Sequence, residues 1–304
     1  MTEKSTEKKL QQLIARHYRS RMLILIAALY ILGFILVDRA EMVRVLQGAN
    51  SELVYLARPV FFNWIVQLLL ALFGGILLTR LDYQGHFNEF LFSSGYRRTN
   101  LFWHRQWFLS KYLLLALLLE VILDQGAIAY VLNGDFTNFD WRWLVIGALF
   151  SVLMTYFAFL VGQLLGTIFG QSLIAYLVGF YLVILFLTSF TGLRNSAANS
   201  RLEAIGDFIA LFVIGFGVVM LQRHLFVHDS LENNGQYLRF EKLKWPIFVL
   251  LTLVTGIYAT MSWNGSKPSV VVIILVVLVV AVVQLGLMNQ NWLKKALGIH
   301  HIDF

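Results

Sequence analysis

Residues 143–169 read WLVIGALFSVLMTYFAFLVGQLLGTIF and contain no charged side chain. An α-helix rises about 1.5 Å per residue, so about 20 such residues cross the roughly 30 Å hydrocarbon core of a bilayer. Backbone N–H and C=O groups find no water in lipid, and a helix satisfies them within the segment itself. The stretch therefore predicts a membrane-spanning helix.

Seven further apolar segments accompany this one. We predict spans at Met22–Val37, Val60–Thr79, Phe108–Leu132, Trp143–Phe169, Ser172–Phe190, Phe208–Leu221, Ile247–Met261 and Val270–Met288. The three prolines, Pro59, Pro246 and Pro268, each lie just before a segment, where a helix tolerates proline. With 59% hydrophobic and only 13% charged residues, the chain is predicted to be an all-α membrane protein with about eight spans.

The basic residues predict the orientation of these spans. Of the 24 Lys and Arg residues, 17 fall on one side of the predicted membrane and 7 on the other. Cytoplasmic loops carry the excess of Lys and Arg, so both termini are expected in the cytoplasm of a multi-pass cell-membrane protein. We predict one membrane domain, 1–304, with an amphipathic segment on the inner membrane surface (1–21), a six-span core (22–221), a cytoplasmic loop (222–246), and two further spans with a tail (247–304).

Motifs that carry enzymatic chemistry are missing from the sequence. There is no cysteine, no His-Glu-x-x-His zinc site, no Gly-x-Ser-x-Gly elbow and no phosphate-binding loop of the Gly-x-x-x-x-Gly-Lys type. We therefore expect no catalytic activity, metal or cofactor in this chain. The net charge of +7 follows from the topology of the spans, and no nucleic-acid partner is expected.

Two carboxylates interrupt the third apolar segment. Glu120 and Asp124 are four residues apart and share one face of a helix. An ionised group in hydrocarbon costs about 2.5–3.5 kcal/mol even on the lenient insertion scale, so such a group usually faces a cavity or a partner. One interpretation is a polar lining for a substrate path; the other is that the span ends near Leu123 and both carboxylates lie among the outer headgroups.

Three glycines recur every fourth residue in the fourth segment: Gly162, Gly166 and Gly170. Small residues at this spacing allow two helices to approach closely. Packing inside one bundle is the simpler interpretation, and a dimer interface is the alternative.

The predicted cytoplasmic loop at residues 80–111 reads RLDYQGHFNEFLFSSGYRRTNLFWHRQWFLSK. Phe87, Phe90 and Leu91 have the spacing of one apolar helix face, followed by a turn at Gly95. The pattern predicts a short amphipathic helix at the inner membrane surface.

This loop resembles the cytoplasmic loop between the second and third spans of type-2 ABC exporter permeases. The matching positions are Asp82, Gly85, Glu89, Phe90, Leu91, Ser93, Ser94, Gly95, Arg97, Arg98 and Lys111. The proline usual in the family's turn is replaced here by Gly95-Tyr96. A second stretch, residues 226–246, is similar to the Glu-Asn-Asn-Gly loop of exporter permeases from Gram-positive bacteria. The family's common form has six spans, so the last two here are an extension.

The resemblance implies a membrane subunit that works with two cytoplasmic ATPase subunits and a second permease copy or paralogue. It implies that residues 88–94 form the cytoplasmic coupling helix and that Glu89, Phe90, Leu91, Arg97 and Arg98 couple the chain to the ATPase. It also implies export of a hydrophobic or amphipathic substrate such as a peptide, lipid or drug. Two other functions stay open from the residues alone. One is an ion-coupled carrier that uses Glu120 and Asp124; the other is a non-transporting scaffold or immunity protein.

Overall fold

The computed structural model describes residues 3–31, 58–131, 141–169, 173–183 and 201–228, with residues 240, 245–247, 249 and 252. These described residues are nearly all helical and include no strand. The all-α fold class is confirmed. The helices are α1 (Glu3–Ala28), α2 (Arg58–Gln84), α3 (Phe87–Ser93), α4 (Arg98–Val131), α5 (Trp141–Ile168), α6 (Leu173–Val183) and α7 (Arg201–Val227).

Four of these helices contain stretches long and apolar enough to cross a membrane. The stretches are Val66–Gln84 in α2, Arg98–Leu123 in α4, Leu149–Ile168 in α5 and Ile209–Val227 in α7, and α6 is a shorter apolar helix. Membrane-spanning helices are thus confirmed. The predicted count of eight stays a prediction, because residues 32–57 and 253–304, where part of the first span and most of the last two were predicted, lie outside the described residues.

The N-terminal segment and the start of the first predicted span form one continuous helix, α1. Its buried side chains recur every three or four residues: Leu10, Ile14, Tyr18, Met22, Leu25 and Leu29. This stripe packs against α4 and α2, whereas the sequence predicted that the apolar face of 1–21 would lie on the membrane surface. Helices α2 and α4 cover this face because the apolar stripe of 1–21 continues without a break into the first predicted span.

The predicted loop at 80–111 is mostly helical. Helix α2 continues through Arg80 and Asp82 to Gln84, α4 begins at Arg98, and the short helix α3 fills the interval. The sequence analysis placed the ends of the spans where the charged residues of this loop begin. In the structure these charged residues pair with one another inside the fold, so the helices continue past them. The predicted loop at 222–246 also begins later, since α7 continues to Val227.

Contacts divide the chain into two compact units. The first comprises Met1–Leu164 with Phe208–Val227, and the second comprises Leu165–Asp207 with His228–Phe304. Every contact that builds the site below lies within the first unit.

Within the first unit, glycines bring α2 and α5 into backbone contact. A Cβ atom on Gly162 would collide with the backbone carbonyl of Leu72, and one on Gly75 would collide with that of Phe159. Gly162 therefore packs inside the chain, against a glycine that the sequence analysis did not select. Gly166 is buried in the other unit, and Gly170 lies outside the described residues.

Candidate functional site

The short helix α3 lies between two tight turns. His86, just before α3, has a left-handed backbone with φ 55°, and Gly95, just after it, has φ 79°. The His86 imidazole bonds the carboxylate of Glu89 through Nδ1, at 2.8 Å. Such turns reverse the chain in few residues, so α3 is tied closely to the ends of α2 and α4.

Helix α3 has a buried side and an exposed side. Phe87, Asn88 and Leu91 are buried, whereas Glu89 is exposed and Phe90 is 53% exposed. The predicted amphipathic helix is present, but Phe90 does not share the buried face with Phe87 and Leu91. Glu89 and Phe90, on the exposed side, can therefore contact a partner protein, whereas the buried Leu91 cannot.

The two arginines after α3 have different surroundings. Arg97 is exposed. The guanidinium of Arg98 lies 4.2 Å from the ring centroid of Phe92 and donates from Nη1 to the carbonyl of Val227 at 3.0 Å. Arg98 therefore joins the end of α3 to α7, and Arg97 is the better placed of the two to meet another molecule.

One carboxylate, Asp82 near the end of α2, gathers four donors from two other helices. Its Oδ1 accepts from Arg21 Nη1 at 3.0 Å and lies 3.1 Å from His17 Nε2. Its Oδ2 lies 2.9 Å from Arg105 Nη2 and accepts from the Tyr18 hydroxyl. We call these five residues the Asp82 cluster. A carboxylate has about four acceptor positions, so this one is saturated.

Burial makes this cluster electrostatically strong. Asp82 is fully buried and Arg105 nearly so, while His17 and Arg21 are partly exposed. Burial raises the pKa of the Tyr18 hydroxyl well above its usual value of 10.0. Tyr18 therefore remains a neutral donor to Asp82 over the physiological pH range.

The cluster is also connected to α3 through aromatic contacts. The His17 imidazole stacks on the Phe87 ring with centroids 3.4 Å apart and planes 6° from parallel. Tyr18 meets the same ring edge-on at 5.9 Å. A movement of α3 would therefore act directly on α1 as well as on α2.

A second buried carboxylate lies deeper in the bundle. Glu120 on α4 is 2% exposed, and its Oε1 accepts from Gln67 Nε2 of α2 at 2.5 Å. Helix α4 continues beyond Leu123 to Val131, so Glu120 belongs to the interior of a long helix pair. The side chain of Asp124 lies outside the described residues.

Sequence reasoning missed most of the Asp82 cluster. Asp82 was selected through the family resemblance alone, and His17, Tyr18 and Arg21 fell within the segment 1–21 that was predicted to lie on the inner membrane surface. The available signal was their spacing: positions 17, 18 and 21 lie on one side of a helix.

Comparison with known proteins gives no match, whether with family models, curated proteins or solved structures.

Proposed function

We propose that the chain is the membrane-spanning subunit of an ATP-driven ABC exporter, which moves a hydrophobic or amphipathic substrate out of the cytoplasm with partner ATPase subunits. The observation that carries the proposal is α3. It is a short helix held between two long helices, with its apolar side packed inward and with Phe90 and Glu89 turned outward. An element of this kind suits the transmission of a partner's movement to the spans.

The anchoring of α3 supports this role. Phe87 stacks on His17 of α1, and Asp82 joins α1 to α4 through Arg21 and Arg105. Paired buried charges have a narrow range of good geometries, so they move as a unit or separate at a large cost. A push on α3 would consequently be shared by α1, α2 and α4.

The ATPase contact is narrower than the resemblance implies. Phe90, Glu89 and Arg97 are exposed, whereas Leu91 is 1% exposed and Arg98 is bonded within the chain. We assign the contact to Phe90, Glu89 and Arg97, with Leu91 and Arg98 as residues that hold α3 in position. A test that alters Leu91 would disturb the fold as well as the contact.

The experiment is purification of the tagged chain from its native membranes, with mass spectrometry of the proteins that accompany it. We expect an ABC ATPase subunit with the wild type and at least about tenfold less with Phe90→Asp, because a contact worth about 1.4 kcal/mol corresponds to tenfold in affinity. Asn100→Asp, which places the same charge at an exposed position of α4, is the matched control.

Each other outcome decides against part of the proposal. Equal recovery of the ATPase with both variants would remove α3 from the contact. Absence of any ATPase from the wild-type preparation would overturn the exporter assignment and favour the scaffold function.

A second candidate, an ion-coupled carrier, is favoured by one observation. Glu120 is an ionisable group buried in a candidate span and bonded to a neutral amide. Intramembrane carboxylates of this kind mark ion or substrate paths. In that case transport would persist without an ATPase and would be lost in Glu120→Gln.

A further inference from the structure

The exposed side of α4 changes character at one level along the helix. Its first part carries polar and aromatic residues, and the next part is aliphatic. The exposed residues in order are Asn100, Trp103, Trp107, Lys111, Tyr112, Leu115, Leu118, Leu119, Ile122 and Leu123. Most recur every three or four residues and therefore share one face. Trp107 is the most exposed of the hydrophobic residues among them, at 72%.

Helix α1 shows the same change on its own exposed side. The basic and polar residues Lys8, Lys9, Gln12, Arg16, Arg19 and Ser20 are followed by Leu23, Ile24, Ala27 and Ile31. The transition falls between Ser20 and Leu23. This side of α1 points away from the Asp82 cluster, so α2 and α4 do not cover it.

Contacts between the helices place the two transitions at the same level. Arg21 of α1 and Arg105 of α4 both bind Asp82, and the rings of Tyr18 and Phe108 lie 6.4 Å apart. Further along both helices, twelve residues beyond Tyr18 and eight beyond Phe108, the Tyr30 hydroxyl donates to the carbonyl of Ala116 at 2.7 Å. The two helices thus run side by side in the same direction with this register.

Helix α7 reaches the same level from the opposite direction. Its exposed residues are apolar through Phe212, Phe216 and Leu221. The Arg223 guanidinium then lies 6.0 Å from the ring centroid of Trp103. Three helices therefore pass from aliphatic to basic and aromatic surface alongside residues 103–111 of α4.

The charge at this level is strongly one-sided. Arg16, Arg19 and Lys111 are exposed, and Arg223 is partly exposed. Among side chains that the structure describes, the exposed carboxylate is Glu89, which is bonded to His86. A surface of this kind favours an anionic ligand.

We propose that this level is the headgroup plane of one leaflet and that its basic and aromatic surface binds anionic phospholipids. Arg19, Lys111 and Arg223 would meet the phosphates, Trp103 and Trp107 would lie among the headgroups, and the leucines beyond Lys111 would meet the acyl chains. An acidic protein fits less well, because the cations continue directly into a lipid-like aliphatic face. The proposal is independent of the exporter function.

Brominated lipids test the proposal, since bromine quenches tryptophan fluorescence only at short range. The chain is reconstituted in phosphatidylcholine bilayers with an equal mole fraction of brominated phosphatidylglycerol or brominated phosphatidylcholine. The signal of Trp103 and Trp107 is obtained by subtracting the Trp103→Phe/Trp107→Phe variant. We expect phosphatidylglycerol to be about threefold enriched beside these tryptophans, and added salt to reduce the enrichment.

The variant Arg19→Gln/Lys111→Gln/Arg223→Gln should bring the enrichment close to one. The matched control Lys8→Gln/Lys9→Gln removes two exposed cations several turns from the transition and should leave most of the enrichment. Retention of monodisperse elution by both variants shows that they are folded.

Equal quenching by the two lipids in the wild type would overturn the headgroup preference. Absence of quenching by either lipid would place these tryptophans against protein or water, and an acidic protein partner would replace the lipid.

Discussion

The two buried carboxylates of the α2–α4 pair differ in what surrounds them. Asp82 is saturated by four donors from α1 and α4, three of which carry or can carry positive charge. Glu120 accepts from the neutral amide of Gln67. Gln67 lies fifteen residues before Asp82, and Glu120 lies fifteen residues after Arg105, so the two places are about 22 Å apart along the pair. The first place joins three helices through paired charges, and the second places an ionisable side chain beside an amide within a candidate span.

Their depths differ as well. The Asp82 cluster lies beside the transition from polar to aliphatic surface at Trp107 and Lys111. Glu120 is nine residues beyond Lys111, about 13 Å further along the helix, which on the proposed headgroup plane places it near the middle of a roughly 30 Å hydrocarbon core. Charges at the headgroup level are readily accommodated, whereas a carboxylate at mid-depth is costly and is retained for a function.

The largest expected effect comes from breaking the Asp82 cluster. Asp82→Asn removes the carboxylate and leaves Arg105 buried without its charge partner. Breaking a buried pair in this way costs about 3–5 kcal/mol. We expect a large fall in the thermal stability of the detergent-purified chain, measured by intrinsic fluorescence. Glu89→Gln, which removes an exposed carboxylate from α3, should change stability by less than about 0.5 kcal/mol. Matching melting curves for the two variants would contradict the structural role of Asp82.

The next effect concerns the glycine contact on α2, which lies between the two carboxylates. Gly162→Ala adds a methyl group that meets the backbone of Leu72, so α2 and α5 must separate. Overpacking of this kind costs about 1–3 kcal/mol. Gly217→Ala is the control, because a Cβ there meets nothing within 4 Å. It should be neutral or slightly stabilising, since alanine favours helix by about 1 kcal/mol. Equal stability of the two variants would mean that α2 and α5 are further apart at Gly162 than the structure shows.

A smaller effect is expected from Tyr18→Phe, which removes a single neutral donor from Asp82. Hydrogen bonds to charged groups contribute about 1.5–3 kcal/mol, and the three remaining donors should offset part of the loss. Because burial raises the pKa of Tyr18 above its unfolded value, its contribution is fully present below about pH 10 and is lost as the pH rises further. The difference in stability between wild type and Tyr18→Phe should therefore be constant from pH 7 to 9 and shrink above pH 10. A difference that grows with alkaline pH would contradict this assignment.

The fold was largely predictable because length and hydropathy alone decide which segments can cross a bilayer. Helix α3 was predictable as well, through the spacing of Phe87 and Leu91. The exposure of Phe90 was not, since residues three and four apart both fit one face and only the position of α1 and α2 decides which is covered. The Asp82 cluster was not predictable either. Its partners lie more than 60 residues away on α1, and pairing across that distance leaves no local pattern. For the same reason, Gly75 could not be matched with Gly162 before α2 and α5 were placed.

The smallest effect on stability, and the sharpest test of the comparison, is expected from Glu120→Gln. Glutamine has nearly the same size as glutamate and can still bond the amide of Gln67. We expect a change in stability below about 1 kcal/mol, in contrast to that of Asp82→Asn.

If Glu120 serves transport, the same variant should lose efflux of a lipophilic fluorescent dye from cells while reaching the membrane at the wild-type level. Asn100→Asp, which places a carboxylate at an exposed position of the same helix, is the control and should leave efflux largely intact. A loss of stability in Glu120→Gln as large as that in Asp82→Asn would mean that both carboxylates hold the bundle together, and the distinction between a joining site and a functional site would fail. If neither stability nor efflux changes, Glu120 does not belong to the transport path. The movement of α3 would then be the remaining proposal for how the spans are driven.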